Sequence, residues 1–202
     1  MSVRRLDPNQ PDSFEFTAEN KAWAEGQIKK YPQGRQASAI ISLLWRAQKQ
    51  GDGWLSEPAI RYVADMLGMP YMRALEVATF YTMYNLSPVG THFVQLCGTT
   101  PCWLGGSDEL KSVCKKVIGE EKTVSSDGKL SWMEVECLGA CANAPMVQIN
   151  DDYYEDLNPQ NFEKLLDDLR NGREVKTGSQ TGRKGSEPAG GLTSLTQVEG
   201  AD

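Results

Sequence analysis

Four cysteines in this chain arrive as two pairs. QLCGTTPC sets Cys97 and Cys102 with four residues between them, and ECLGAC sets Cys137 and Cys141 with three. Only the thiolate binds a soft metal, and four thiolates close a tetrahedral site or a binuclear iron site. Two cysteine loops at the ends of regular elements are a way of placing four sulfurs around one small inorganic centre, so the leading reading is an all-cysteine iron-sulfur site.

Other ligand sets can be weighed from the same residues. A Rieske-type centre needs two histidines, and the chain has one, His92, which reads as an ordinary strand residue. Plant-type spacing begins with the same four-residue gap but needs a further cysteine two residues on, and the stretch from Trp103 to Ser107 supplies none. Structural zinc is the serious rival, since two close cysteine pairs meet its usual requirement. Zinc ribbons tend to use shorter gaps, whereas the loops here, with Gly98 and Gly139, leave room for bridging sulfides and for backbone N–H groups aimed at sulfur. A redox disulfide is a third reading. The fifth cysteine, Cys114, lies on an apolar helical stripe and is expected in the core. Trp103 and Trp132 are expected to pack in the core rather than to shield the site. A cis bond at Pro145 would shape the second loop, although X-Pro bonds are mostly trans.

The elements that carry these loops follow from periodicity and punctuation. Residues 1–16 form a polar lead without a periodic pattern, expected to be poorly ordered or to lie along a partner. Residues 17–87 read as a bundle of four short helices. Thr17 caps the first. Ile40, Leu43, Leu44 and Ala47 make the stripe of the second; Ser56 and Pro58 start the third, with Ile60, Val63, Ala64 and Leu67 inward; Pro70 opens the fourth, with Val77, Phe80, Tyr81 and Tyr84 inward. The third and fourth helices mimic a DNA-binding helix-turn-helix, but between Asp52 and Asn85 two arginines stand against four carboxylates, the wrong sign for phosphate.

Residues 88–175 change period to strand, helix, strand, strand, strand, helix. The first strand, Thr91 to Leu96, feeds Cys97, and the second, Ser131 to Glu136, feeds Cys137, with Met133 and Val135 expected on one face. A strand-helix-strand crossover makes the two strands parallel and brings their ends to one side of the sheet. Thiols with 39 intervening residues thus become neighbours. Residues 176–202, rich in Gly, Ser and Thr and without aromatics, read as a flexible tail. The fold class is α+β.

Composition narrows the function. A net charge of -6 argues against nucleic acid and an anionic membrane surface as main partners. From Val77 to Ser107 there is no Asp, Glu, Lys or Arg, but Asn85, Pro88, Gly90, Gln95 and Pro101 interrupt the run, so it is not a membrane span. An odd cysteine count and the lack of a signal-peptide pattern point to a reducing cytosol. No glycine-rich turn follows a strand and opens a helix, so nicotinamide and flavin are expected on another chain.

QLCGTTPC and ECLGACANAP, after a helical lead containing VATFYTMY, resemble the small thioredoxin-like [2Fe-2S] subunit of respiratory NADH-quinone oxidoreductase (complex I), over roughly Thr17 to Gly172. The resemblance implies one [2Fe-2S] cluster on Cys97, Cys102, Cys137 and Cys141, two thiolates to each iron, in a thioredoxin-like ferredoxin domain. It implies electron exchange with FMN on a larger NADH-binding partner subunit, and through it the other peripheral-arm subunits. It places the protein on the cytoplasmic face of the inner membrane, or the matrix side in mitochondria. Similar subunits of NAD-linked hydrogenases and formate dehydrogenases are the alternative, and a zinc-stapled assembly module without redox function is the reading from a different class.

Overall fold

The computed structural model describes residues 4–185. The chain divides after Thr91 into two compact units. Among the described residues no helix is long and apolar enough to cross a membrane.

The first unit is helical. α1 (Ala18–Ile28) starts where the Thr17 hydroxyl accepts from the Asn20 N–H at 3.2 Å. A single 3-10 turn (Gln36–Ala39) leads into α2 (Ile40–Gln50), and Ser56 caps α3 (Glu57–Met66) by accepting from Ala59 N–H. α4 (Tyr71–Phe80) follows the left-handed turn at Gly68, where φ is +62° and a side chain would be strained. Leu43, Leu44 and Ala47 from α2 meet Ile60, Val63 and Ala64 from α3, all fully buried.

α4 differs from expectation. Its inner face is Ala74 and Ala78, while Phe80 points outward with 76% of its surface exposed. The helix stops at Phe80 because Tyr81 turns extended. Tyr84, beyond it, is buried and donates its hydroxyl to Ile41 O at 2.8 Å. The carbonyls freed at this end, which a helix cannot satisfy internally, are taken by Arg4, whose guanidinium donates to Thr79 O at 3.2 Å, Tyr81 O at 2.8 Å and Tyr84 O. The lead is therefore an arm laid on its own bundle. Asp7 N–H bonds Leu86 O at 2.9 Å, and Phe14 and Phe16 stack edge-on against Tyr62. Aromatic burial fixes it, and an extended arm has no periodicity to announce it.

The second unit orders its strands β2-β1-β3-β4-β5, with β1 (His92–Cys97), β2 (Leu130–Val135), β3 (Val147–Ile149), β4 (Asp152–Glu155) and β5 (Gly178–Ser179). β1 and β2 are parallel in the register Cys97↔Val135, and β3 runs antiparallel to β1. Between β1 and β2 lie α5 (Thr100–Leu104) and α6 (Ser107–Val117); α7 (Pro159–Arg170) follows β4. Asn158 and Asn161 cap α7 reciprocally, side chain to backbone in both directions. The core joins Val94 and Leu96 of β1 to Leu110 and Cys114 of α6 and Phe162 and Leu166 of α7.

In β2 the fully buried apolar side chains are Leu130 and Trp132, while Met133 and Val135 are half-buried with Glu134 exposed between them, as the alternation predicts. The Trp132 indole N–H finds Gly119 O at 2.8 Å, which permits its burial. The segment expected to be flexible from Lys176 instead adds β5 to the sheet edge, parallel to β4. Residues 186–202 of that tail lie outside the described residues.

Candidate metal centre

β1 ends on Cys97, which is 2% exposed, and α5 begins three residues later and carries Cys102, 1% exposed. α5 was not expected from the sequence. Thr99 before Thr100 and Pro101 is its signal, a threonine at the cap position and proline in the first turn. β2 ends at Val135, and Cys137 follows two residues on. The chain then turns through Gly139 (φ +83°) and a single 3-10 turn, Cys141–Asn143, before a cis Ala144–Pro145 peptide leads to β3. Because β1 and β2 are parallel and β3 returns antiparallel, both loops lie at one end of the sheet. Backbone joins the two loops where Cys97 N–H reaches Met146 O at 3.4 Å, and Tyr153 of β4 donates its hydroxyl to Leu138 O in the second loop at 2.7 Å.

All four thiols are free. Cys137 and Cys141 are exposed, with sulfurs 3.7 Å apart, far beyond the ~2.05 Å of a disulfide. Gly139 N–H points at Cys137 Sγ at 3.4 Å, and Thr99 Oγ1 lies 3.4 Å from Cys97 Sγ. Burial opposes ionisation of Cys97, yet bonds from the Thr99 side chain and backbone, Leu138 N–H and Cys102 outweigh it, and its thiol is held below the ordinary value. Burial, then sharing that bond with Cys97, pushes Cys102 up to about 12 against a bond from Met146 N–H; the charges of Cys97 and Cys141 add to it. Cys141 is raised by its bond to Cys137, with smaller effects from burial and from the charges of Cys137 and Cys97. The pairs thus feel one another. Crowded thiols that resist simultaneous ionisation are what a cationic centre relieves. Among the described residues no group of three or more His, Cys, Asp or Glu is arranged to hold a single metal ion. Two pairs of sulfurs could instead hold two ions, two thiolates each.

The remaining candidates sort clearly. Cys114 is fully buried on α6, and burial pushes its thiol up to about 12, so it is a core residue. His92 is a half-buried strand residue whose imidazole is lowered, chiefly by burial. Trp132 is in the core, but Trp103 is exposed on α5, its indole N–H bonded to Asp108 at 2.9 Å, and Leu104 beside it is 74% exposed. A brace was not foreseen. Lys111 bonds Asp108 at 3.0 Å and Glu134 at 2.9 Å, and the Glu134 carboxylate lies against Gly98, where a Cβ would fall 1.8 Å from Oε1.

Residues 24–170 match the family model of the thioredoxin-like [2Fe-2S] ferredoxins. The chain belongs to this family. Its curated relatives include an E-type subunit of NADH-quinone oxidoreductase from Rhizobium meliloti (strain 1021), 56% identical over 98% of this chain and 74% of that protein. The E-type subunit of NADH-quinone oxidoreductase from Rickettsia bellii (strain RML369-C) is 58% identical over 79% of this chain and 96% of that one. Among solved structures, an NAD+-reducing [NiFe]-hydrogenase in the air-oxidized state aligns with TM-score 0.55 at 17% identity, over 64% of this chain and 23% of that chain, which speaks to the fold alone. The thioredoxin-like ferredoxin expected from the two cysteine loops is thus the family found, and the α+β class holds.

Proposed function

We propose that this chain is the iron-sulfur electron-transfer subunit of an NADH-quinone oxidoreductase, holding one [2Fe-2S] cluster on Cys97, Cys102, Cys137 and Cys141. The observation that carries this is the delivery of two free thiol pairs to one end of the sheet, one pair buried and one exposed. Bound there, a [2Fe-2S] cluster supplies reversible one-electron chemistry, which complements the hydride chemistry of nicotinamide through a flavin. The chain's own residues set the conditions. Cys97 and Cys102 are held where water is excluded, while Cys137 and Cys141 lie at the surface, where a redox partner can approach. Gly139 N–H donates to the sulfur of Cys137 and Thr99 Oγ1 lies at that of Cys97, spreading thiolate charge. The match to the thioredoxin-like [2Fe-2S] ferredoxins supports the binuclear centre over zinc, which takes its four ligands around one ion.

FMN and NADH belong to a partner subunit in this account, because no phosphate-cradling glycine turn opens a helix here. Met72 and Phe80, exposed apolar side chains of α4, support the helical unit as the docking surface for that partner. The assembly sits on the cytoplasmic face of the inner membrane, attached through other subunits.

NADH added anaerobically to the isolated iron-loaded chain is expected to leave its visible absorption unchanged, and adding the flavin subunit is expected to bleach it. Bleaching by NADH without the partner, or none with it, would contradict the assignment.

A further inference from the structure

We propose that residues 178–184 form a strap that holds the second cysteine loop in shape, with Arg183 as its positioning residue; this rests on the reading of Cys137 and Cys141 as cluster ligands. β5 pairs with β4 in the register Tyr154↔Gly178 and Glu155↔Ser179, which carries the following residues back along that loop. Arg183 then forks. Its Nε and Nη2 bond Asp156 at 3.1 and 2.5 Å, and Nη2 also donates to Ala142 O at 3.2 Å, the carbonyl immediately after Cys141. Lys184 O accepts from Asn143 Nδ2 at 3.2 Å, and the same amide donates to Glu155 at 2.8 Å, so that Asn143 is 2% exposed although it lies in a loop.

Asp156 is the hub on the opposite side. Its N–H bonds Asn143 O at 2.8 Å, and its carboxylate accepts from Ser179 Oγ at 2.5 Å and Thr181 Oγ1 at 3.3 Å. It occupies the left-handed region, φ +56°, which a non-glycine residue adopts at a cost and which these bonds offset. The loop has little structure of its own. Between Gly139 and Ala144 its internal backbone bonds are Asn143 N–H to Ala140 O at 3.2 Å and Ala144 N–H to Cys141 O at 3.4 Å, both close to the length at which such bonds weaken. Outside anchors therefore set its shape, and the strap supplies those nearest Cys141. The family match ends at residue 170, so the strap lies beyond the part that defines the family. A planar guanidinium suits this place because one fork reaches a carboxylate and a carbonyl together, which an ammonium does less well.

The test uses the full chain purified with its iron, as wild type, Arg183→Ala, Arg183→Lys, a chain ending at Thr177, and Arg173→Ala as a control on an exposed ion pair elsewhere. Iron release to a chelator is expected to quicken about tenfold or more in Arg183→Ala and in the shortened chain, in line with lost support behind metal ligands. Arg183→Lys should fall between, and Arg173→Ala should match wild type. The spin-resonance lines of the reduced protein should broaden in the same order. In the metal-free protein, amide exchange at Asn143 and Ala144 should quicken while β1 and β2 keep their protection. Should the shortened chain fail to fold, the Arg183→Ala and Arg183→Lys pair decides. Wild-type release, line shape and exchange in the strap variants would overturn the inference. A wild-type chain that binds no iron overturns the proposed function instead, and the exchange measurement still decides whether the strap holds the loop.

Discussion

Gly98, beside Cys97, lies against the Glu134 side chain. A methyl group there would fall inside the Glu134 carboxylate, which Lys111 holds from the other side. Gly98→Ala must therefore push the flexible Glu134 side chain off, and because that side chain is solvent-exposed the loss is the Lys111–Glu134 ion pair, about 1 kcal/mol or less. Denaturant unfolding should show that loss, and the double variant Gly98→Ala/Glu134→Ala should lose no more than either single variant. Additive losses would place the clash elsewhere. Cys114 offers the opposite case. Cys114→Ala should cost about 1 kcal/mol from core packing and leave the visible spectrum intact, whereas serine at Cys97, Cys102, Cys137 or Cys141 should remove or alter it. The four cysteines were legible in the sequence because their spacing is local. Glu134 was not, since its partners come from α6 and from the end of β1, which only the folded sheet brings together.

At the level of elements, parallel pairing of β1 and β2 follows from a crossover whose strands and helix carry readable stripes. The caps at Thr17 and Ser56 were readable for the same reason, each being a side chain bonded a few residues ahead. Asn158→Ala breaks the reciprocal cap of α7 and should lower stability by about 1 kcal/mol, read as a fall in Tm. What the sequence concealed were elements stabilised from a distance: the end of α4, taken over by Arg4, and β5, which has two residues and no apolar pattern. The strap also predicts a pH dependence. Arg183 above all, then Ser179 and Thr181, holds the Asp156 carboxylate below its usual range. A depressed folded value means the attachment is complete above the unfolded carboxylate range near ~4 and is lost as pH falls through the lowered value. Amide protection over residues 178–183, taken relative to the intrinsic exchange rate at each pH, should hold down to that range and fall below it. Protection already lost near neutrality would show that Asp156 is not the hub.

For the whole molecule, the division after Thr91 separates a helical unit from the unit that bears the thiols. Deleting residues 1–85 should therefore abolish co-purification with the flavin subunit while the remaining chain keeps its colour, and Phe80→Asp should weaken association without lowering Tm, because Phe80 faces solvent. Retained association after the deletion would move the docking surface to the thiol-bearing unit. Which side chains face outward for a partner was hardest to foresee, since Phe80 sat on a helical stripe that looked inward until Ala74 and Ala78 proved to fill that face. The central claim is that the two thiol pairs share one binuclear iron centre. It is tested most directly by counting metal and acid-labile sulfide in the anaerobically purified chain and recording its spin resonance after dithionite. Two iron and two sulfide per chain, with a spin-half signal that serine at any of the four cysteines removes or shifts, is the predicted result; one zinc, no sulfide and no signal would contradict it.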